Sequence, residues 1–151
     1  EMMYASPLSR ALDSAQILSG YVHAPVETHD DLREWNREGM LGGLSNDQVQ
    51  HMYPQELQRL GYYRSHAPQG ELYTDFVQRV LAAFEQILER PYKRLVVVTH
   101  PRVIGVWMRE FHFLFHHPAS IDHPDHIIEL RLNKNFRIEN MQARQFADWD
   151  A

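Results

Sequence analysis

The chain contains no cysteine among its 151 residues. Disulfide staples, thiolate metal sites and a cysteine nucleophile are therefore excluded. It also lacks an excess of positive charge, with a formal net charge of −5 when the histidines are neutral. A nucleic-acid binder ordinarily carries a basic face, so nucleic acid is not an expected partner. No apolar run approaches the roughly 18 residues that a membrane span requires. No secretory pattern follows Glu1-Met2-Met3, so a cytoplasmic protein without a membrane partner is the expectation. Repeats and low-complexity tracts are also missing. What is there is ordinary for a folded chain: 44% apolar and 23% charged residues, which argues against disorder. One domain over 1–151 is expected, large enough to bury roughly 70% of its unfolded surface.

The apolar pattern alternates between short runs and helical stripes. Met2 to Ala5 reads as a strand. Ser6 stands as an N-cap with Pro7 at the first helical position. Leu8, Ala11, Leu12, Ala15 and Leu18 then recur at helical spacing until Gly20. Pro25 to His29 predicts a second strand, parallel to the first through a right-handed crossover. Residues 30–45 read as a loop rich in glycine. Ser45 and Gln48 form a capping-box pattern for a helix over roughly 46–60, kinked or split at Pro54. Glu71 to Arg90 predicts the clearest helix, with Leu72, Phe76, Val80, Phe84 and Ile87 on one face. Arg94 to Thr99 is near-continuously apolar, as in a parallel strand buried on both faces. A helix from Arg102 to about Phe115 follows. Ile127–Leu132 and Phe136–Met141 flank Asn133-Lys134-Asn135 as a hairpin. The tail from Gln142 reads as a last helix or a loose end. The order is α/β, with a mostly parallel sheet and one antiparallel element.

Ligands of open α/β sheets bind beyond the carboxyl ends of the strands. Arg10 and His100 both follow such ends. An arginine one turn into a helix can grip a phosphate in bidentate fashion, aided by the helix N-terminus. The plainer reading of Arg10 is a surface pair with Asp13. A histidine after a strand can donate to a transferring phosphoryl group or carry it; otherwise it caps the next helix or satisfies the core. Glu34, beside Trp35, can serve as proton donor to a leaving alkoxide. Its plainer reading is a loop carboxylate paired with Arg33 or Arg37. His112, His116, His117, His123 and His126 crowd around Asp122 and Asp125, but their spacing matches no standard zinc site. No metal and no cofactor are expected. Ser6, Trp35 and His126 are expected at the substrate pocket, and Arg102 at the phosphate.

Ser6-Pro7-Leu8-Ser9-Arg10-Ala11 resembles the Ser-Pro-Leu-x-Arg-Ala signature of the histidine phosphatase (phosphoglycerate mutase-like) superfamily. Leu32-Arg33-Glu34 with Gly39 and Gly43 is similar to its Leu-x-Glu…Gly…Gly loop. Gly70-Glu71 resembles its Gly-Glu-Ser helix start, with Leu72 where serine is usual. Val96 to His100 is similar to the strand that ends in the second active-site histidine. The resemblance implies a three-layer α/β/α sandwich with a mostly parallel sheet. It implies Arg10 as a phosphate-binding arginine, Glu34 as proton donor and acceptor, and His100 as the histidine that holds the phosphoryl group. The implied activity is hydrolysis of a small phosphorylated metabolite through a phosphohistidine. The alternatives are a mutase-type phosphoryl transfer and an inactive, phosphate-binding pseudophosphatase. An oligomer is compatible with any of the three.

The family's nucleophile is a histidine in an Arg-His-Gly triplet at the end of a central strand, and no Arg-His pair occurs in this sequence. A sheet without its central strand exposes unpaired edges. The chain is thus expected to be a fragment, with an upstream strand omitted or lying elsewhere. Two further departures are Pro101, where glycine is usual, and a loop after Glu34 about one residue longer than usual.

Overall fold

The short apolar run at the start forms β1 (Met2–Ala5), flanked on either side by β2 (Val26–Thr28) and β3 (Leu95–Val98). Both pairings are parallel, with Met3 opposite Val26 and Val96, and Ala5 opposite Thr28 and Val98. The computed structural model that shows this describes residues 1–55, 67–115, 126–132 and 138–145, with side chains described as far as Arg109 except that of Asn46.

Side chains of β1 alternate between two faces, as strand geometry requires. Met3 and Ala5 pack with Ala15 of α1 (Ser9–Val22) and with Ala24. Tyr4 points the other way, into Phe76, Val80, Ala83 and Ile87 of α3 (Tyr73–Leu88) and Val103, Val106 and Trp107 of α4 (Pro101–Phe115). Helices therefore cover both faces of the sheet, the three-layer α/β arrangement expected from the sequence. Within the second layer, the Trp107 indole N–H donates to the Val80 carbonyl at 3.0 Å and its ring lies 4.7 Å from that of Phe84.

α1 corrects two expectations. It starts at Ser9 with Leu8 as its cap, and it runs through Gly20 to Val22. Ser6 does not cap it, because its hydroxyl is engaged elsewhere, as described below. The helix ends at His23, whose backbone is left-handed (φ 53°) and whose N–H donates to the Ser19 carbonyl. Ala11 and Ala15 are its buried residues, whereas Leu18 faces water. Small side chains let this helix lie close on the sheet.

The capping box holds: the Ser45 hydroxyl accepts from Gln48 N, and the Gln48 side chain accepts from Ser45 N. It opens α2 (Asn46–Met52), which ends short of Pro54. α3 begins two residues after Glu71, and its cap, Leu72, is exposed rather than part of the buried stripe. β4 (His126–Leu132) and β5 (Ile138–Gln145) pair antiparallel in a separate sheet, as the hairpin pattern predicts. β5 also takes in Gln142 to Gln145, which the sequence reading left to the tail.

The expectation for Arg94–Thr99 is only half met. β3 pairs with β1 on one edge, and among the described residues its other edge has no partner. Val96 remains 39% exposed. The aliphatic composition of this strand exceeds what the described layers cover.

Candidate active site

β1 and β3 end level with one another, and Ser6 N donates to the Val98 carbonyl at 2.9 Å. The two chains then diverge into α1 and α4, leaving Ser6 and His100 face to face. His100 Nε2 and Ser6 Oγ are 2.8 Å apart, and both residues are buried, with His100 only 3% exposed. The Ser6 oxygen also accepts from Leu8 N at 3.3 Å. This use of the hydroxyl explains why it caps no helix. His100 itself closes the start of α4, since its carbonyl accepts from Ile104 N at 3.0 Å. Pro101 consequently occupies the first helical position, where a missing N–H costs nothing.

Arg10 lies exposed on the second residue of α1, and among the described residues it forms no ion pair, with Asp13 or any other acid. Its charge acts on His100. Burial, first, and then the cations Arg10 and Arg79 push the His100 imidazole down from 6.5 to about 4. At neutral pH it is an uncharged hydrogen-bonding group within the field of the Arg10 guanidinium. That arrangement suits an anion: a phosphoryl group entering there would meet a fixed positive charge and a donor without an internal counter-ion.

A stability effect follows from the same shift. The unfolded chain protonates this histidine near 6.5, but the fold resists protonation until about pH 4. The contribution of neutral His100 is therefore complete above pH 6.5 and is lost as pH falls towards 4. We expect a loss of about 2 kcal/mol over that window, allowing for solvent at the pocket mouth. Urea unfolding at pH 7 and pH 4.5 tests this against His100→Asn, in which the pH-dependent fall should shrink. An equal fall in both proteins would refute it.

Glu34 sits in the segment after the 3-10 turn Asp30–Leu32. Four successive carbonyls, running from the turn into this segment, are held by side chains. Asp31, Arg33 and Glu34 O accept from Arg79, and Leu32 O accepts from Thr99 Oγ1 at 2.7 Å. Thr99 precedes His100, so the Glu34 loop is tied directly to the strand end that carries the histidine. The Glu34 carboxylate accepts from Trp35 N at 2.8 Å. Trp35 is buried: its indole N–H donates to the Glu71 carbonyl at 2.9 Å, and its ring stacks on Phe76 at 5.8 Å and meets Tyr73 edge-on at 5.2 Å.

The structure thus gathers Ser6, Arg10, His100 and the Glu34–Trp35 loop around one end of the sheet. Arg102 joins from α4 with its guanidinium 5.8 Å over the Trp35 ring, so it lines the aromatic wall. His126 opens β4 opposite Gln145, and its side chain, like those of His112, His116, His117 and His123, lies outside the described residues. Among the described residues no cluster of metal-ligating side chains occurs.

Arg79 and Arg109 escape the sequence reading. Arg109 donates to the Tyr73 hydroxyl at 2.6 Å. Arg79 left one faint signal, a cation wedged between the core positions Phe76 and Val80 of the same helix.

Comparison with known proteins agrees with this geometry. The profile of the histidine phosphatase superfamily (branch 1) matches residues 1–127. YhfR of Bacillus stearothermophilus is 27% identical, with a TM-score of 0.65 over 91% of this chain and 70% of its own. The alpha-ribazole phosphatase of Shigella flexneri is 21% identical, with a TM-score of 0.67 over 95% of this chain and 71% of its own. A mycobacterial glucosyl-3-phosphoglycerate phosphatase is 18% identical, with a TM-score of 0.62 over 95% and 76%. No curated protein matches the chain. Among the described residues no helix is long and apolar enough to cross a membrane.

Proposed function

The chain belongs to the histidine phosphatase superfamily (branch 1), and from that premise we propose that its site binds and hydrolyses a small phosphoric monoester. The observation that carries this reading is the buried His100, 2.8 Å from Ser6 Oγ where β1 and β3 end, with Arg10 on the second residue of the adjoining helix. Arg10 would grip two phosphoryl oxygens, and His100 would donate to a third from the ring nitrogen that carries its proton.

An attacking histidine is required alongside, and the edge of β3 that has no partner among the described residues is where a strand bearing it would pair. Its nitrogen forms a bond to phosphorus as the ester P–O bond breaks. Glu34 gives its proton to the departing oxygen, which leaves as an alcohol. Water then attacks phosphorus, returns a proton to Glu34, and releases phosphate and the free imidazole. Arg102 on the Trp35 wall would lie against the alcohol portion, favouring a polar or anionic metabolite.

Release of inorganic phosphate from an alkyl phosphate tests this reading. Glu34→Gln should reduce turnover about 100-fold, and His100→Ala by at least as much. Near-normal turnover in either variant would remove that residue from the mechanism. A second reading, phosphate-ester binding without turnover, is favoured by the lack of an Arg-His pair in the sequence. Saturable binding of the ester that depends on Arg10, with no phosphate released, would establish it instead.

A further inference from the structure

Arg79 stands out because its guanidinium is fully used. Its five N–H groups meet five acceptors. Nε and one Nη2 hydrogen reach the two carboxylate oxygens of Glu71, the latter at 2.9 Å. The Nη1 pair reaches Asp31 O at 2.7 Å and Arg33 O at 2.9 Å, and the remaining Nη2 hydrogen reaches Glu34 O at 3.2 Å. The plane lies 5.0 Å over the Phe76 ring. Both Arg79 and Glu71 are 19% exposed. Glu71 in turn holds the far side of the loop: its carbonyl accepts from the Trp35 indole, and its carboxylate from Asn36 N at 3.3 Å.

The Glu34 segment is neither helix nor strand beyond its 3-10 turn, so nothing in regular structure fixes its direction. Its backbone polar groups would otherwise be bound by water. The Arg79 fork replaces that water with a rigid planar template, which only arginine can supply. Lysine offers three donors from one atom and cannot span three carbonyls and a carboxylate. Arg79 faces the peptide groups and leaves the Glu34 carboxylate free of any contact with it. It therefore aims the side chain without neutralising it.

We propose that Arg79, clamped by Glu71, is the positioning residue that holds Glu34 and Trp35 at the phosphoryl site. The proposal rests on the reading of Glu34 as proton donor. Positioning of an acid has a distinctive consequence. Esters with poor, alkoxide-like leaving groups depend on the proton, whereas an ester of a strongly acidic phenol departs without it.

The test uses the protein together with the strand that bears the attacking histidine, unaltered and as Arg79→Lys and Glu34→Gln, with an alkyl phosphate and a nitrophenyl phosphate. Arg79→Lys should slow the alkyl ester at least tenfold in kcat, with KM unchanged and the nitrophenyl ester within about threefold. Glu34→Gln should show the same selectivity more strongly. If Glu34→Gln is selective and Arg79→Lys is not, positioning is refuted and the proton donor stands. If Glu34→Gln shows no selectivity, or the unaltered chain hydrolyses neither ester, the proton-donor reading fails and the proposal falls with it.

Hydrogen exchange at the indoles separates positioning from simple loss of folding. The Trp35 N–H, bonded to Glu71 O, should exchange at least tenfold faster in Arg79→Lys. The Trp107 N–H, bonded to Val80 O, should keep its rate. Equal acceleration of both would make Arg79 a general element of the fold and overturn the proposal, as would no acceleration of either.

Discussion

Gly39→Ala is expected to cost about 4 kcal/mol of folding stability and to disorganise the candidate site together with it. Gly39 has a left-handed backbone, φ +48°, and a Cβ there would stand 2.3 Å from Gly70 N, 2.4 Å from Pro68 O and 2.7 Å from Gln69 C. All three are backbone atoms, so no side chain can rotate away. The conformation alone costs a residue with a Cβ roughly 1–2 kcal/mol. The clash must then part the 36–40 loop from the 67–71 turn. Three backbone bonds cross that seam: Ala67 N to Arg37 O, Met40 N to Pro68 O, and Glu71 N to Asn36 O. Weakening them adds roughly 1 kcal/mol each. The same turn delivers Glu71, so the damage reaches the Arg79 clamp. Urea denaturation measures the loss. A variant within 1 kcal/mol of the unaltered chain would show that the two segments do not meet as described.

This position also illustrates what a sequence discloses. Gly39 belongs to a recognisable glycine-bearing loop, but its reason is a contact with residues about thirty positions away. Spacing reveals that a turn is present and says nothing of what it touches. Strand ends were legible for a physical reason: an apolar run followed by proline, or by a charged or polar residue, marks where chain leaves the core. Met2–Ala5 was read correctly on that basis, and Arg94–Thr99 to within one residue at each end; the capping box at Ser45 was read from the serine and the glutamine three residues on. Ser6 was misjudged because serine at a helix start and serine hydrogen-bonded to a buried histidine carry the same local signature. Only the register between β1 and β3 sets Ser6 against His100, and register is a tertiary property. Arg79 was invisible for a similar reason. An arginine between core positions of an amphipathic helix is ordinary, and three of its five acceptors are backbone carbonyls of residues 31–34, more than forty positions away. Within the candidate site, Arg10, Glu34 and His100 were legible, and the Arg79–Glu71 network that holds the Glu34 loop was not.

Phe76→Ala is expected to be as costly, at about 4 kcal/mol, for a reason that links core to site. Phe76 is fully buried in the larger core cluster. Deleting a buried phenyl ring typically costs 3–5 kcal/mol, from lost burial and the cavity left behind. Here the ring also carries three contacts that reach the loop. It stacks with Trp35 at 5.8 Å and an interplanar angle of 20°, meets Tyr73 at 6.1 Å, and supports the Arg79 guanidinium at 5.0 Å. Each aromatic contact is worth roughly 0.5–1.5 kcal/mol beyond burial. Phe76→Leu separates the two contributions, because it retains most of the apolar volume and removes the ring faces. The leucine variant should lose roughly 1–2 kcal/mol and still expose Trp35 to water, visible as a red shift of its fluorescence. Val80→Ala provides the control: it is equally buried one turn further along the helix, but it has no ring facing Trp35. It should lower stability and leave the Trp35 signal in place. A Trp35 signal unmoved in Phe76→Leu would mean that the aromatic wall stands without its base. The coupling between core packing and the Glu34 loop would then have to run through Arg79 and Glu71 alone.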